Sequence, residues 1–236
     1  MRIAAGHGLL VIEDAAQGLL AAYRERPLGA IGHMAALSFH ETKNIISGEG
    51  GALLINDERF AERAEIIWEK GANRAQFFRG QVDKYTWVDL GSSYLPGDIT
   101  AAFLWAQMEE ADAITARRMA IWSRYHEAFA PLEAAALVRR PIVPPDCRQN
   151  GHLYYLLLPD LASRTAFIER LKAHDIHPVF HYVPLHASPY GRTAGRAVGD
   201  LARTVAASER LVRLPLWLGL EEHLDRVIDE VIAAVG

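Results

Sequence analysis

The sequence predicts an α/β protein with a mostly parallel sheet, followed by a smaller α+β unit. Three short apolar runs, at 9–16, 35–39 and 51–57, have the length and composition of buried strands. Apolar residues at helical spacing follow at 58–71, so strands and helices alternate as they do in α/β sheets. A second set of strand and helix patterns begins after the Pro-rich stretch 141–146, which indicates a second unit.

A long helical pattern joins the two parts. It extends from Asp98 to about Phe129, and we place the domain boundary within it. Residues 1–120 are then a large, sheet-containing domain and residues 121–236 a small C-terminal domain. The patterns of the small domain predict strands at 152–158 and 177–183, and helices at 163–175 and near 221–235.

The first residues do not have the pattern with which a doubly wound sheet usually begins. RIAAGHGLLVIEDAA resembles the tail of a helix that leads directly into an interior strand. We therefore expect that part of the sheet-forming sequence is missing from the N-terminus.

The composition excludes several classes of protein. Half of the 236 residues are apolar and the net charge is −4, so no basic excess is present to recruit nucleic acid. The single cysteine, Cys147, excludes an internal disulfide and a zinc site with several cysteines. No apolar run has the length of a membrane span, and the N-terminus lacks the long apolar region of a signal peptide. We expect a cytoplasmic protein without a metal, a nucleic-acid partner or a membrane partner.

Polar side chains follow two predicted strands where each strand ends. Glu13 and Asp14 follow the first strand, and Ser38, His40 and Lys43 follow the second. Ligands of open α/β sheets bind beyond the carboxyl ends of the strands, so an acid and a lysine would face one pocket. Pyridoxal 5′-phosphate (PLP) needs this pair, because the lysine binds its aldehyde and the acid keeps its pyridine nitrogen protonated.

Each of these residues also has a simpler explanation. An aspartate at a strand end often caps a helix, a lysine after a strand is usually a surface residue, and His186 could be a structural histidine in a Pro-rich turn. The sequence also leaves open a hydrolase that uses Asp14, His40 and His186 around a metal, although no HExxH-type spacing supports it. The residues alone do not decide between these alternatives.

Four segments in a fixed order resemble the DegT/DnrJ/EryC1/StrS family of sugar aminotransferases. They are EDAAQ (13–17), SFHETKN (38–44), GEGGALLIND (48–57) and HYVPLHASP (181–189). The resemblance extends over the whole chain, and the joint order and spacing of the four segments is specific. It implies a fold-type I PLP-dependent transferase, of which this chain has the C-terminal part of the PLP-binding large domain and the small domain.

The resemblance also implies roles for the residues at the strand ends. Lys43 matches the catalytic lysine that binds the PLP aldehyde and moves a proton between cofactor and substrate. Asp14 matches the acid paired with the pyridine nitrogen, and Gln17 the residue that packs near the ring hydroxyl. Ser38 matches a hydroxyl that binds the cofactor phosphate.

One branch of the family is especially similar to FFRGQVDKYTWVDLGSSY, residues 77–94. That branch aminates the 4-keto carbon of dTDP-4-dehydro-6-deoxy-D-glucose, with L-glutamate as donor, for enterobacterial common antigen. The diphosphate of this sugar nucleotide needs cations and hydroxyl donors in its binding site. In this family the loop that contains residues 77–94 crosses the interface of a homodimer with shared active sites. The implied substrate-binding residues are Arg79, Lys84 and Tyr85 in the loop, and Tyr182 and His186 in the small domain.

Two departures from the family pattern leave a second hypothesis open. Many members have an asparagine that binds phosphate where this chain has Ser93-Tyr94-Leu95, although the similar branch also has the SSY form. The family's N-terminal segment, which supplies most of the phosphate cradle, is absent from this sequence. The alternative is therefore a catalytically inert fragment that acts only in folding or dimerisation.

Overall fold

A computed structural model describes residues 1–236, which form two compact units. The first unit contains Met1–Ile114 and Pro145–Asn150, and the second contains Thr115–Pro144 and Gly151–Gly236. The division therefore falls a few residues before the predicted boundary at residue 120, and one short later segment belongs with the first unit. The assignment of these units to a large and a small domain stays a prediction.

The first unit contains six strands and four helices. They are α1 (Arg2–Gly6), β1 (Ile12–Asp14), β2 (Ala22–Tyr23), β3 (Arg26–Pro27), β4 (Met34–Ser38), β5 (Gly51–Ile55), α2 (Ala61–Trp68), α3 (Arg74–Phe78), α4 (Asp98–Glu109) and β6 (Cys147–Arg148). The three strands predicted at 9–16, 35–39 and 51–57 are confirmed as β1, β4 and β5.

The main sheet of the first unit has the order β1-β4-β5. Strands β1 and β4 are parallel, with Asp14 opposite Ala36. Strands β4 and β5 are antiparallel, with Ser38 opposite Gly51. This second pairing differs from the parallel arrangement that we expected for the sheet. The connection between β4 and β5 contains no helix, and parallel neighbours usually need a helical crossover to return the chain to the same end of the sheet.

The two faces of this sheet have different surroundings, because successive side chains of a strand point to opposite faces. Ala35 lies on the covered face and is completely buried. Ile12 and Leu53 lie on the other face and are 65% and 55% exposed. Asp14 and Ala36 share that second face and are exposed as well. The predicted cofactor-binding acid therefore lies on the open face of the sheet.

A second, smaller sheet in the first unit has the order β3-β2-β6. Strand β6 pairs antiparallel with β2, with Ala22 opposite Arg148 and Tyr23 opposite Cys147. The side chain of Arg24 forms an ion pair with Asp146 at 3.0 Å. These contacts fix the segment Pro145–Asn150 in the first unit.

The second unit contains most of α5 and all the remaining elements. They are α5 (Ala111–Ala128), α6 (Ala130–Ala134), β7 (Tyr154–Leu157), α7 (Leu161–Ala173), β8 (Val179–Phe180), α8 (Pro189–Ala194), α9 (Ala202–Arg210), β9 (Leu211–Leu214) and α10 (Leu224–Val235). The sheet has the order β7-β9-β8, with both pairs antiparallel.

The core of the second unit is built around aromatic side chains. Tyr125 of α5, Phe129 between α5 and α6, and Tyr154 of β7 are completely buried and in ring contact. The hydroxyl of Tyr125 donates a hydrogen bond to the carbonyl of Pro215 at 2.9 Å, so its burial leaves no unpaired donor. Burial, together with the neighbouring Tyr154, raises the pKa of Tyr125 above its ordinary value.

Several elements differ from the sequence-based prediction. The long helix expected from Asp98 to Phe129 is two helices, α4 and α5, that separate at Glu110. No glycine or proline marks this break, so the periodic pattern gives no sign of it. The predicted loop 72–97 contains helix α3, and α8, α9 and β9 were not predicted. None of the helices is long and apolar enough to cross a membrane.

The core position Leu156 allows a test of the second unit. Leu156 is completely buried, and we expect Leu156→Ala to lower the free energy of unfolding by about 2–5 kcal/mol because it leaves a cavity. The control is Leu161→Ala, at a position 45% exposed, which should change stability by no more than about 0.5 kcal/mol. Urea denaturation measures both variants. Equal decreases in the free energy of unfolding for Leu156→Ala and Leu161→Ala would contradict the observed core.

Candidate active site

Asp14 ends β1, and its carboxylate is fixed by the local backbone. One carboxylate oxygen accepts a hydrogen bond from the backbone N–H of Ala16 at 3.1 Å, which forms an Asx-turn. The N–H of Ala15 donates to the carbonyl of Ala36 at 3.0 Å and so extends the parallel pairing by one residue. Asp14 is exposed, so the rest of its carboxylate is open to a ligand.

Glu13, the preceding acid, has a structural role on the other face of the sheet. Its carboxylate accepts hydrogen bonds from the backbone N–H groups of Gly29, Ile31 and Gly32 at 3.0, 2.6 and 2.5 Å. Burial by itself would raise the pKa of Glu13, but these three donors and the charge of Arg26 together bring the pKa below its ordinary value. The adjacent acids Glu13 and Asp14 therefore point to opposite faces of the sheet, because successive side chains of a strand alternate between the faces.

Lys43 lies in a compact loop between β4 and β5. The backbone N–H of Phe39 donates to the carbonyl of Gly50 at 2.8 Å, and that of Ser47 donates to the carbonyl of Phe39 at 2.7 Å. The N–H of Lys43 itself donates to the carbonyl of His40 at 2.9 Å. The side chain of Lys43 is half-buried, and its amine forms no ion pair. The loop therefore holds the lysine backbone in a defined turn while its amine remains available.

The strand register brings Asp14 and Ser38 to the same face and the same end of the sheet. Asp14 pairs with Ala36, and Ser38 is two residues further along β4. Residues two apart on a strand share a face, so the carboxylate and the hydroxyl project to the same side. The hydroxyl of Ser38 accepts a hydrogen bond from the N–H of His40 at 3.4 Å and keeps its own proton for a ligand.

The turn after Asp14 is tied to a residue far along the chain. The side-chain amide of Asn150 donates to the carbonyls of Gln17 and Leu19, both at 2.8 Å. The side-chain amide of Asn44 donates to the backbone carbonyl of Asn150, also at 2.8 Å. Sequence reasoning missed both asparagines, because nothing in their local patterns links residue 150 to residues 17 and 44. Gln17, a predicted cofactor-binding residue, has an exposed side chain.

The predicted substrate-binding residues of the 72–97 loop have different surroundings. The guanidinium of Arg79 forms a bidentate pair with Glu65 at 2.8 and 2.9 Å. This hydrogen-bonded pairing raises the pKa of Arg79 and lowers that of Glu65. Lys84 is exposed, and Tyr85 is 55% exposed with its ring edge-on to Phe77. A phosphate could therefore meet Lys84 and Tyr85 directly, whereas Arg79 already has a carboxylate partner.

Tyr182 and His186 belong to the second unit. Tyr182 is 74% exposed, and the guanidinium of Arg213 lies 5.8 Å from the centre of its ring. Its carbonyl accepts a hydrogen bond from the hydroxyl of Ser208 at 3.0 Å. His186 is half-buried in the short 3₁₀ turn Leu185–Ala187.

The structure contains no group of three or more His, Cys, Asp or Glu side chains that could hold a metal ion. His40 is engaged in its own loop, where its Nδ1 accepts a hydrogen bond from the N–H of Thr42 at 3.1 Å and its Nε2 lies 3.6 Å from Glu49. The geometry therefore gives no support to the alternative of a metal-dependent hydrolase.

Comparisons with known proteins give the class of this fold. The chain is 31% identical to the spore coat polysaccharide biosynthesis protein SpsC of Bacillus subtilis, over 100% of this chain and 61% of SpsC. It is also 31% identical to a dTDP-3-amino-3,4,6-trideoxy-α-D-glucose transaminase of Streptomyces venezuelae, over 95% of this chain and 56% of that enzyme. A crystal structure of a Brucella abortus aminotransferase superposes with a TM-score of 0.83 at 28% identity, over 100% of this chain and 60% of that one. The fold is that of PLP-dependent aminotransferases, which confirms the predicted fold class.

The profile of the DegT/DnrJ/EryC1/StrS aminotransferase family matches residues 1–232. The chain belongs to this family, as the four sequence segments implied. The chain spans about 56–61% of the length of the curated relatives it matches.

The donor groups of the first unit fit the cofactor of this family, which is PLP. PLP presents an aldehyde, a pyridine nitrogen and a phosphate to the protein. The chain offers an amine at Lys43 that is in no ion pair, an exposed carboxylate at Asp14 and a hydroxyl at Ser38. These are the amine, acid and hydrogen-bond donor that the three groups require.

Glu13 provides a test of the sheet that positions Asp14. We expect Glu13→Gln to lower the free energy of unfolding at neutral pH by about 1–2 kcal/mol, because a charged acceptor of three N–H groups is lost. The pKa of Glu13 is lowered by folding, so its stabilising effect is present above its ordinary pKa and is lost as the pH falls through the folded-state pKa. The difference between the two proteins should therefore shrink in acid.

Urea denaturation across the acid range measures this difference. The control is Glu25→Gln, at an exposed position of the first unit, which should leave the pH dependence unchanged. A difference for Glu13→Gln that stays constant with pH would contradict the role assigned to its carboxylate.

Proposed function

We propose that the chain provides the lysine and the acid of a PLP-dependent aminotransferase that acts on a nucleotide-linked 4-keto-6-deoxy sugar. The observation that supports this most directly is the parallel pairing of β1 with β4. It places Asp14 and Ser38 at one end and on one face of the sheet, and the Lys43 loop follows directly. This is the set of groups that the cofactor needs, at the edge of the sheet where ligands of α/β folds bind.

Each residue of this proposed site has a defined task. When bound, PLP supplies an electron sink that stabilises negative charge at the substrate carbon. Lys43 would hold the cofactor through its amine. Once the amine of the donor substrate takes the place of the lysine, the released Nζ would accept and return the proton of that carbon. Asp14 would hold a proton at the pyridine nitrogen through its carboxylate. Ser38 would donate a hydrogen bond to the phosphate, and Gln17 would pack near the ring hydroxyl.

The proposed substrates are dTDP-4-dehydro-6-deoxy-D-glucose and the donor L-glutamate, with dTDP-4-amino-4,6-dideoxy-D-galactose as the product. The resemblance of residues 77–94 to enzymes of enterobacterial common antigen synthesis supports this branch. The transaminase from Streptomyces venezuelae, whose name includes a dTDP-sugar, supports the nucleotide. The cytoplasm remains the predicted location.

The chain's own groups are suited to a diphosphate sugar. Lys84 offers an exposed cation and Tyr85 an exposed phenol, and both can donate to phosphate oxygens. Arg79 can join them if an incoming phosphate displaces or shares the carboxylate of Glu65. Tyr182 and His186 of the second unit are proposed to contact the sugar.

The apolar surface of the first unit supports the proposed homodimer. Helix α4 has no buried residue, and Ile99, Phe103 and Trp105 are 89%, 50% and 68% exposed. Trp87 and Leu90 of the preceding loop are 74% and 77% exposed. Large apolar side chains in such number on one helix and its adjoining loop are typical of an interface. A second copy of this chain is the proposed partner.

Covalent attachment of PLP to Lys43 tests the proposed function. The chain is incubated with PLP, reduced with borohydride and examined by intact-mass spectrometry and peptide mapping. We expect one reduced adduct per chain at Lys43, and no adduct at that site in Lys43→Ala. Lys70, Lys84 and Lys172 act as internal references for nonspecific modification. Asp14→Asn should still form the adduct but lose about 10²-fold or more in transamination, because the pyridine nitrogen loses its proton holder.

The same measurement decides between the two hypotheses for this chain. Labelling of Lys43 no faster than that of the three reference lysines would overturn the proposed cofactor site. The alternative, an inert folding or dimerisation unit, would then be favoured.

Sedimentation velocity tests the proposed dimer separately. We expect the wild-type chain to sediment as a dimer, and Trp105→Asp to weaken association by about tenfold or more, because a buried aromatic anchor would be replaced by a charge. The control is Tyr190→Asp, at an exposed aromatic position of the second unit, which should leave association unchanged. A monomeric wild-type chain at micromolar concentration would contradict the dimer.

A further inference from the structure

We propose that Asn150 is a positioning residue that holds the turn after Asp14 against the loop of Lys43. The inference rests on the proposed function, because these two segments contain the acid and the amine assigned to PLP. Asn150 itself lies outside the four motif segments at 13–17, 38–44, 48–57 and 181–189, although the family profile covers its position. Its role follows from the hydrogen bonds that converge on it.

The side chain of Asn150 is buried, and both of its amide protons are used. Only 6% of the residue is exposed. The amide nitrogen donates to the carbonyls of Gln17 and Leu19, both at 2.8 Å. Buried polar groups with all their partners in place restrict a structure to a single arrangement, because moving either partner would leave an unpaired group. Asn150 therefore fixes the backbone of the turn at two points.

The backbone of Asn150 holds the other segment. Its carbonyl accepts a hydrogen bond from the side-chain amide of Asn44 at 2.8 Å, and Asn44 directly follows Lys43. One residue thus contacts the turn of Asp14 through its side chain and the loop of Lys43 through its main chain. The two segments are joined at Asn150 as well as through the pairing of β1 with β4.

The turn also has hydrogen bonds of its own, and the N–H of Ala21 donates to the carbonyl of Gly18 at 2.9 Å. Within it, the N–H of Ala16 donates to Asp14 and the N–H of Gly18 donates to the carbonyl of Ala15 at 2.8 Å. Leu20, just after it, has a φ of 62°, a left-handed conformation that costs free energy for a residue with a side chain. A turn that ends in such a conformation needs external contacts to stay in place, and Asn150 supplies two of them.

The segment that contains Asn150 is fixed without help from the Asn150 side chain. Strand β6 pairs with β2, and the N–H of Arg24 donates to the carbonyl of Asp146 at 2.8 Å. The guanidinium of Arg148 donates to the carbonyl of Leu20, also at 2.8 Å. Truncating Asn150 should therefore leave its segment in place and release the Gln17 and Leu19 carbonyls.

Asn56 offers a matched control in the same unit. Its side-chain amide also donates to two backbone carbonyls, those of Gly29 at 2.8 Å and Gly32 at 3.1 Å. These carbonyls lie in the connection between β3 and β4, whose N–H groups bind Glu13. The control therefore disturbs contacts near β1 without removing a hydrogen bond to the turn after Asp14 or to the loop of Lys43. Asn56 is exposed and Asn150 is buried, but both variants lose an amide that donates to two backbone carbonyls. The effect of each variant is therefore compared with its own loss of stability.

The experiment compares the PLP concentration that half-saturates Lys43 adduct formation in the wild type, Asn150→Ala and Asn56→Ala. We expect Asn150→Ala to raise this concentration by about tenfold, because small displacements of reacting groups are costly. For Asn56→Ala, the half-saturating PLP concentration should stay within about twofold of that of the wild type, even where its unfolding midpoint falls as far as that of Asn150→Ala. Equal shifts in the two variants would overturn the inference and leave the proposed function intact.

A second measurement needs no cofactor. The rate at which an N-hydroxysuccinimide ester acetylates Lys43 is measured relative to Lys70, Lys84 and Lys172 in the same sample. We expect Asn44→Ala and Asn150→Ala to change this relative rate, and Asn56→Ala to leave it unchanged. The double variant Asn44→Ala/Asn150→Ala should be non-additive because both changes cut the same connection.

The two measurements distinguish a failure of the proposed function from a failure of the role proposed for Asn150. A wild-type Lys43 that PLP does not label contradicts the proposed function, whereas the acetylation rates still decide the role of Asn150. Relative rates that are the same for Asn150→Ala and Asn56→Ala overturn that role, whatever the outcome with PLP.

Discussion

The parallel pairing of β1 with β4 is the constraint on which the proposed site depends. A parallel pair brings the carboxyl ends of two strands to the same edge, and the register sets how far each extends. With Asp14 opposite Ala36, the carboxylate of Asp14 and the hydroxyl of Ser38 fall on the same face, two residues apart. A slip of one residue would turn one of the two groups to the opposite face. The buried Ala35 and the three hydrogen bonds to Glu13 on the covered face oppose such a slip.

The sequence predicts this part of the structure because its signals are local. Short apolar runs that end in polar residues were enough to locate β1, β4 and β5, to place Asp14 at the end of β1 and to place Lys43 in the loop after β4. The break at Glu110 and the role of Asn150 could not be predicted in this way. The break has no glycine or proline to mark it, and the amide of Asn150 acts on carbonyls more than 130 residues earlier in the chain. Hydrogen bonds to main-chain carbonyls are especially hard to anticipate, because any residue type can supply the acceptor.

The polar side chains of the first unit fall into two kinds, those that hold the backbone in place and those that remain open to a ligand. The carboxylate of Glu13 and the side-chain amide of Asn150 are hydrogen-bonded to backbone groups, and both hold connections in place. Asp14 has a single backbone donor and is exposed, and the amine of Lys43 is in no ion pair. Charged groups that remain without protein partners beside rigidly held neighbours are suited to bind a ligand, because their position is fixed and their charge is uncompensated.

The exposed apolar surface of α4 and of the loop before it lies close in the sequence to two of the proposed substrate-binding residues. Lys84 and Tyr85 lie within the same stretch of chain as the exposed Trp87 and Leu90. If a second copy covers these apolar side chains, then the cation and the phenol are carried into the interface with them. Their charge and hydrogen-bonding capacity would be desolvated there and would interact more strongly with a diphosphate than at an open surface. The bidentate pair with Glu65 compensates the charge of the nearby Arg79 guanidinium, so the loop presents no unpaired arginine at this position.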